Sequence, residues 1–214
     1  MPSGIVVALA AWLSAGALML LSARLLGPHP DPLWQVLGAM GAAAAACVLT
    51  LWGARLPAAA NGFALPRAAA WILAVAVGIA GLLSSLLAAT LVFALFGRPE
   101  GVQPVERVVG ELFARYGFWG TVLLAAVLPG IVEEALFRGV VLSALRRHWP
   151  DGLAIAVSSL AFALLHLDPW RFLPQAVLAL LLGWLTVRSA SCLPAMLAHA
   201  VHNALVLGLV HAGL

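Results

Sequence analysis

Long apolar stretches alternate with short polar connectors along the whole chain. Pro, Gly and charged residues interrupt the apolar stretches, and most of these are close to the roughly 20 residues that a helix needs to cross a bilayer. The pattern predicts an all-α, polytopic transmembrane helix bundle with about seven spans. We place these spans at about 4–26, 33–52, 68–96, 121–145, 153–167, 172–187 and 193–214.

The most polar stretch of the chain lies at 97–120. Val105, Val108, Val109, Leu112 and Phe113 recur there at helical spacing, and Glu and Arg residues lie between them. An apolar stripe opposite a charged face is typical of a helix that lies in the membrane interface. We therefore predict one interfacial amphipathic helix before the fourth span.

The composition supports a membrane location. Apolar residues make up 64% of the 214 residues and charged residues only 9%, whereas soluble domains carry roughly 25% charged residues. We predict a single membrane-embedded domain over residues 1–214, with membrane lipid as a partner. The net charge of +3 is spread along the chain rather than clustered, which argues against a nucleic-acid-binding protein.

Arginine carries the positive charge, since the chain has no lysine. An Ala- and Arg-rich composition without lysine is typical of a GC-rich genome, and we expect the protein in the inner membrane of a bacterial cell. The arginines divide evenly between the two sides of the predicted bundle, so the positive-inside rule leaves the orientation open. The oligomeric state is open as well.

Three charged residues lie inside the fourth predicted span, namely Glu133, Glu134 and Arg138. Each central charge costs about 2.5–3.5 kcal/mol on insertion, so a chain keeps it only in an ion pair or beside a wet cavity. Glu134 and Arg138 are four residues apart on one helix face and can pair. Glu133 points about 100° away. We expect the pair to be mainly architectural and Glu133 to be the available carboxylate.

Two later spans carry matching polar groups. His166 lies near the end of the fifth span, and His199 and Asn203 share one face of the seventh. Polar side chains buried among Ala, Leu and Val need partners. We expect these helices to face the fourth span around a common cavity, which makes residues 121–214 the motif-bearing core.

These residue types support amide hydrolysis within the membrane. A desolvated Glu133 can act as general base on water, and a nearby histidine such as His166 can hold that water, directly or through a metal. His199 and Asn203 can donate hydrogen bonds to the oxyanion of a tetrahedral intermediate.

Structural interpretations compete with this one. A Glu–Arg pair can join helices or line a transport path, and a single helical histidine is more often a packing residue. We apply that interpretation to His202 and His211. Polar groups on three separate helices make a purely structural role a poor account of the whole set.

Three motifs, Glu-Glu-x-x-x-Arg, Phe-x-x-x-His and His-x-x-x-Asn, occur in this order on separate predicted spans. They lie at Glu133-Glu134 with Arg138, at Phe162 with His166, and at His199 with Asn203. The ordered set resembles the type II CAAX prenyl protease and bacteriocin-processing family, also called CPBP or Abi intramembrane proteases. The resemblance covers roughly residue 128 to the C-terminus.

The resemblance implies an intramembrane endopeptidase. In that family Glu133 and His166 would position and activate the catalytic water, and His199 and Asn203 would stabilise the oxyanion. The second Glu and the Arg of the first motif would support them.

Metal use is left open by the resemblance. The family is often described as metalloproteases, which implies a divalent metal such as zinc, with Glu133, His166 and His199 as its ligands. A glutamate-dependent mechanism without a metal is the alternative, and the chain has no His-Glu-x-x-His motif.

The substrate implied is a membrane-associated peptide or protein. A bacterium without protein prenylation offers no CAAX substrate, so a peptide precursor, an anti-sigma-type regulator or a bacteriocin-related peptide would take its place. The main alternative is a non-catalytic role in bacteriocin self-immunity or as a membrane interaction protein. An ion-coupled transporter is a weaker alternative because the sequence shows no inverted repeat.

Overall fold

The computed structural model describes residues 4–27, 31–53, 62–101 and 104–213. Within these ranges all regular elements are helices, which confirms the all-α prediction. The α-helices are α1 Gly4–Leu26, α2 Pro32–Gly53, α3 Ala68–Phe96, α4 Pro104–Val122, α5 Leu128–Glu134, α6 Ser143–Leu145, α7 Asp151–Leu165, α8 Phe172–Ser189 and α9 Leu193–His211. Two π-helical segments, Leu123–Val127 and Ala135–Leu142, flank α5.

Six helical stretches in the described part of the chain are long and apolar enough to cross a membrane. The fifth predicted span differs, because α7 has only 15 residues and is shorter than the usual ~20-residue span. The predicted interfacial helix and fourth span also differ, since they form one helical stretch of 41 residues, Val105–Leu145. The protein is therefore an integral membrane helix bundle with one short apolar helix inside it.

Gly117 separates the amphipathic part of α4 from the part that enters the bundle. Its backbone angles are φ 64° and ψ −175°, a region that residues with a side chain hardly occupy. On one side of this break, Arg115 forms an ion pair with Asp31 in the connection between α1 and α2. The amphipathic part of α4 thus runs in a different direction from the part after Gly117, and its ion pair attaches it to the connection between α1 and α2.

The helix that carries the first motif is not a regular α-helix. The second π-helical segment begins directly after Glu134 and contains Arg138. A π-helical turn holds one extra residue and often marks a functional site. The rotation of 100° per residue that we assumed for this span therefore applies within α5 but not within the π-helical segment that follows it.

Two glycines allow α9 to pack closely between its neighbours. A Cβ atom on Gly78 of α3 would lie 2.7 Å from the carbonyl oxygen of Ala198, and one on Gly130 of α5 would lie 3.0 Å from the backbone nitrogen of Ala200. Both contacts are with α9 backbone atoms, so larger side chains would push α9 away. The position of α9, and of the histidines on it, therefore depends on α3 as well as on α5.

The turn between α6 and α7 is closed by a polar contact. Arg146 Nε donates a hydrogen bond of 2.8 Å to Asp151 Oδ1 at the first residue of α7. This hydrogen bond, together with the charge of the guanidinium, lowers the pKa of Asp151. The contact fixes where the short helix α7 begins.

Candidate active site

Glu134 and Arg138 form a buried ion pair. Nε of Arg138 lies 3.0 Å from Oε2 of Glu134, and the two residues are 1% and 0% exposed respectively. Arg138 Nη2 also donates to the carbonyl oxygen of Ala179 in α8 at 2.9 Å, and its guanidinium lies 5.0 Å from the ring centre of Phe162. The structure thus contains the predicted pair and shows that it ties the second π-helical segment to α7 and α8.

The same carboxylate holds His199. Nδ1 of His199 lies 2.9 Å from Oε1 of Glu134, and the histidine is 3% exposed. Because a carboxylate can only accept, Nδ1 carries the hydrogen of this bond. A histidine whose Nδ1–H is held by a carboxylate has a fixed ring orientation. Its other nitrogen, Nε2, therefore has a fixed direction.

That direction leads to Glu133. Oε2 of Glu133 lies 4.0 Å from Nε2 of His199, and the glutamate side chain is 13% exposed. The distance is too long for a direct hydrogen bond, and a separation of this kind is often bridged by a water molecule. An oxygen atom within hydrogen-bond distance of both atoms would lie beside the line that joins them.

Asn203 lies one turn further along α9 and contacts the helix before the first motif. Its Nδ2 atom donates to the carbonyl oxygen of Ala125 at 3.4 Å. Pro129 has no N–H to donate to the carbonyl four residues before it, which is that of Ala125. The proline thus frees a backbone acceptor, and the asparagine uses it. Nδ2 has a second hydrogen that this contact leaves available.

His166 lies apart from the buried set. It follows the last residue of α7, is exposed, and its Nδ1 atom lies 2.9 Å from the carbonyl oxygen of Phe162. The ring centre of Phe162 is 4.7 Å from that of His166 and 5.9 Å from that of His199. We expected His166 inside a common cavity, and the structure places it at the exposed end of α7, joined to His199 through Phe162.

Comparison with known protein families matches the part of the chain that holds these residues. Residues 115–205 match the model of the type II CAAX prenyl endopeptidase Rce1-like family. This part of the chain is similar to that family. The resemblance seen in the three motifs is therefore confirmed, and the family that this part of the chain matches is one of endopeptidases. No curated protein and no solved structure shows a comparable match.

The Rce1-like region contains all three motifs and ends just after Asn203, while α1, α2 and α3 lie outside it. The close approach of Gly78 to α9 shows that α3 nevertheless supports the site. Sequence reasoning had given α3 no part in the site, because its glycines look like those of any closely packed membrane helix.

The predicted metal ligands do not come together as a metal site. In residues 4–27, 31–53, 62–101 and 104–213, no three His, Cys, Asp or Glu side chains are grouped so as to hold a metal ion. The Nδ1 atoms of His199 and His166 are bound by Glu134 and by a backbone carbonyl, which leaves only Nε2 of each ring for a metal. The described side chains do not fit a three-ligand metal, and we derive no catalytic step through one.

Three other polar side chains lie on α8 and α9, namely Gln175, His202 and His211. His202 is buried on α9 beside Gly81, and its Nδ1 atom has no hydrogen-bond partner in the described part. His211 is exposed and contacts the rings of Phe113 and Phe118. Sequence reasoning passed over Gln175 of α8, although a polar residue inside an apolar span was a signal that could have found it.

Proposed function

We propose that this protein is an intramembrane endopeptidase that hydrolyses a peptide bond in a membrane-associated peptide or protein. The observation that carries this proposal is the 4.0 Å separation between Glu133 Oε2 and His199 Nε2. A water molecule within hydrogen-bond reach of both atoms would be shared by a carboxylate and an imidazole, in a part of the chain that matches a protease family.

Glu133 is the general base of the proposed reaction. It takes one proton from a water molecule, and the resulting hydroxyl attacks the carbonyl carbon of the peptide bond. Glu133 then gives this proton to the leaving amine as the carbon–nitrogen bond breaks.

The tetrahedral intermediate carries an oxyanion that needs hydrogen-bond donors. Asn203 offers the second hydrogen of Nδ2, and a protonated His199 offers Nε2–H. Glu134 and Arg138 are positioning residues, since Glu134 holds the ring of His199 through Nδ1 and Arg138 forms an ion pair with Glu134.

His166 takes part from the exposed end of α7. Its Nδ1 atom is bound to its own helix, which leaves Nε2 for the catalytic water or for the substrate. We assign it to the water, as the family resemblance implies. The exposure of His166 at the end of a short helix leaves this end of the site open to a substrate. We also propose that the protein resides in a bacterial inner membrane.

The test is cleavage of a library of membrane-bound peptides by the purified protein in liposomes. We expect Glu133→Gln to abolish cleavage, because the amide cannot accept the proton. Glu111→Gln is the matched control, since Glu111 is an exposed acid on the amphipathic helix. Full activity of Glu133→Gln in the same liposomes would overturn the proposal.

A further inference from the structure

Gln175 has a buried polar atom that nothing in the described structure satisfies. Its Oε1 atom is shielded from solvent and has no hydrogen-bond partner among the described residues. A buried acceptor without a partner costs folding free energy, and more so in an apolar helix bundle. The surrounding sequence of α8 is almost entirely apolar, so local chemistry gives no reason for a glutamine here.

Gln175 lies on the face of α8 that is turned towards the site. Gln175 and Ala179 differ by about 40° around α8 and share one face, and the carbonyl of Ala179 accepts from Arg138. On one side of this face Leu178 contacts α3 at Gly81, and on the other Gly183 contacts α7 at Ile155. The face between them is directed at the second π-helical segment.

Gln175 also lies at the depth of the site. Helices α7 and α8 are consecutive and antiparallel, and Gly183 meets Ile155. Phe162 lies seven residues after Ile155, and Ala176 lies seven residues before Gly183. Because the two helices run in opposite directions, Phe162 of α7 and Ala176 of α8 lie at the same depth. Gln175 is the residue next to Ala176.

The carboxamide leans towards the open end of the site. Side chains on a helix tilt towards its N-terminus, and α8 begins where α7 has ended. His166 is exposed at that end, and the ring of Phe162 joins it to His199. We expect a peptide that reaches Glu133 from this end to pass Gln175.

We propose that Gln175 binds the backbone of the peptide substrate beside the bond that is cleaved. This inference rests on the proposed function. A carboxamide offers one acceptor and a donor group, which match the N–H and C=O groups of an extended peptide. It carries no charge, so it recognises the backbone without selecting a charged side chain.

A structural role is the competing interpretation. Nη1 of Arg138 is also buried without a hydrogen-bond partner among the described residues, and a water molecule could bridge it to Gln175. The two interpretations predict opposite effects on stability. Removing a structural bridge destabilises the protein, whereas removing an unsatisfied acceptor does not.

The test uses Gln175→Met, which keeps the length and the helix propensity of the side chain and removes the amide. We expect KM for a cleaved peptide to rise about tenfold, with a smaller change in kcat and a Tm equal to or above that of the wild type. Binding of the same labelled peptide to the Glu133→Gln protein should weaken by a similar factor when Gln175→Met is added.

The matched control is Thr186→Val. Thr186 lies on the same inward face of α8, and its hydroxyl is bound to the carbonyl of Leu182 in its own helix. We expect its KM and peptide binding to be those of the wild type.

A lower Tm of Gln175→Met with unchanged KM and peptide binding would overturn the inference in favour of the structural bridge. Full cleavage by Glu133→Gln together with a raised KM of Gln175→Met would overturn the proposed mechanism and leave the binding role intact. Equal binding of the labelled peptide with and without the amide would overturn the binding role alone.

Discussion

Nδ1 of His199 lies 2.9 Å from Oε1 of Glu134, although 65 positions separate the two residues in the chain. The other oxygen of the same carboxylate forms an ion pair with Arg138, whose Nε lies 3.0 Å away. One buried carboxylate therefore holds both a guanidinium and an imidazole. Glu133, its neighbour in sequence, has no partner of this kind closer than 4.0 Å among the described residues. The two adjacent glutamates should thus respond differently to the same substitution.

Glu134→Gln should destabilise the protein and abolish activity. The substitution leaves the charge of Arg138 buried without its counter-ion, which costs about 3–5 kcal/mol. It also weakens the hydrogen bond that orients His199. Thermal unfolding in detergent measures the first effect and peptide cleavage the second.

Glu133→Gln is the control for that experiment, because it changes the same functional group one residue earlier. We expect it to lose activity with a Tm close to that of the wild type. Equal stability losses in the two variants would contradict the separation of a structural from a chemical glutamate.

His166→Ala should lose activity with little loss of stability. His166 is exposed and its ring is bound only to its own helix, so its removal costs one hydrogen bond to the carbonyl of Phe162 and no contact with another helix backbone. The loss of a residue that helps to activate water reduces kcat by about 10²–10⁴. His199→Ala should in contrast lower the Tm, since it exposes Glu134 to an unfilled space. The comparison fails if His166→Ala unfolds at the lower temperature of the two.

The membrane bundle itself could be predicted from the sequence, because the length of an apolar run fixes whether a helix can cross a bilayer. The short helix α7 was harder to predict, since the apolar run from residue 153 to 167 continues past the end of the helix at Leu165. Leu167 has a positive φ of 52°, and a pattern of apolar residues does not predict such a backbone angle. The end of α7 is nevertheless what leaves His166 exposed.

The partners within the candidate site could be predicted only in part. The spacing of Glu134 and Arg138 indicated their ion pair, because residues four apart meet on one helix. The contact between Glu134 and His199 depends on how α5 packs against α9, and helical spacing within one segment says nothing about that. The π-helical segment after Glu134 could not be predicted from the sequence either, since its extra residue is accommodated by packing rather than by a local motif.

Metal chelation provides a prediction about the reaction. Because the described side chains form no three-ligand group, we expect cleavage to survive treatment with a strong chelator, and purified active protein to hold less than one equivalent of zinc or another divalent metal. Metal analysis of the same preparation accompanies the assay. Loss of activity on chelation, restored by adding one metal, would assign Glu133, His166 and His199 to that metal instead.

Gly78→Ala should reduce both stability and activity. The added Cβ would lie 2.7 Å from the carbonyl oxygen of Ala198 and 2.8 Å from Cγ1 of Val201, so α9 has to move and carries His199 with it. Overpacking of this kind costs about 1–3 kcal/mol.

Gly41→Ala on α2 is the matched control for that variant. A Cβ at position 41 has no atom within 4 Å, and alanine gains up to about 1 kcal/mol of helix propensity. If Gly78→Ala matches this control in Tm and in cleavage rate, α3 does not position α9.

Gly117→Ala tests the break between the amphipathic helix and the helix that carries the first motif. Gly117 has φ 64° and ψ −175°, and a residue with a side chain in that region costs about 1–3 kcal/mol. The variant can relieve this strain by continuing as a straight helix, which would pull Arg115 away from Asp31. Gly110→Ala lies in the same helix, where glycine has no positive φ and the added Cβ meets no atom within 4 Å. We expect thermal unfolding to show a loss for Gly117→Ala and none for Gly110→Ala. Equal unfolding temperatures would mean that the amphipathic helix keeps its direction without a glycine at this position.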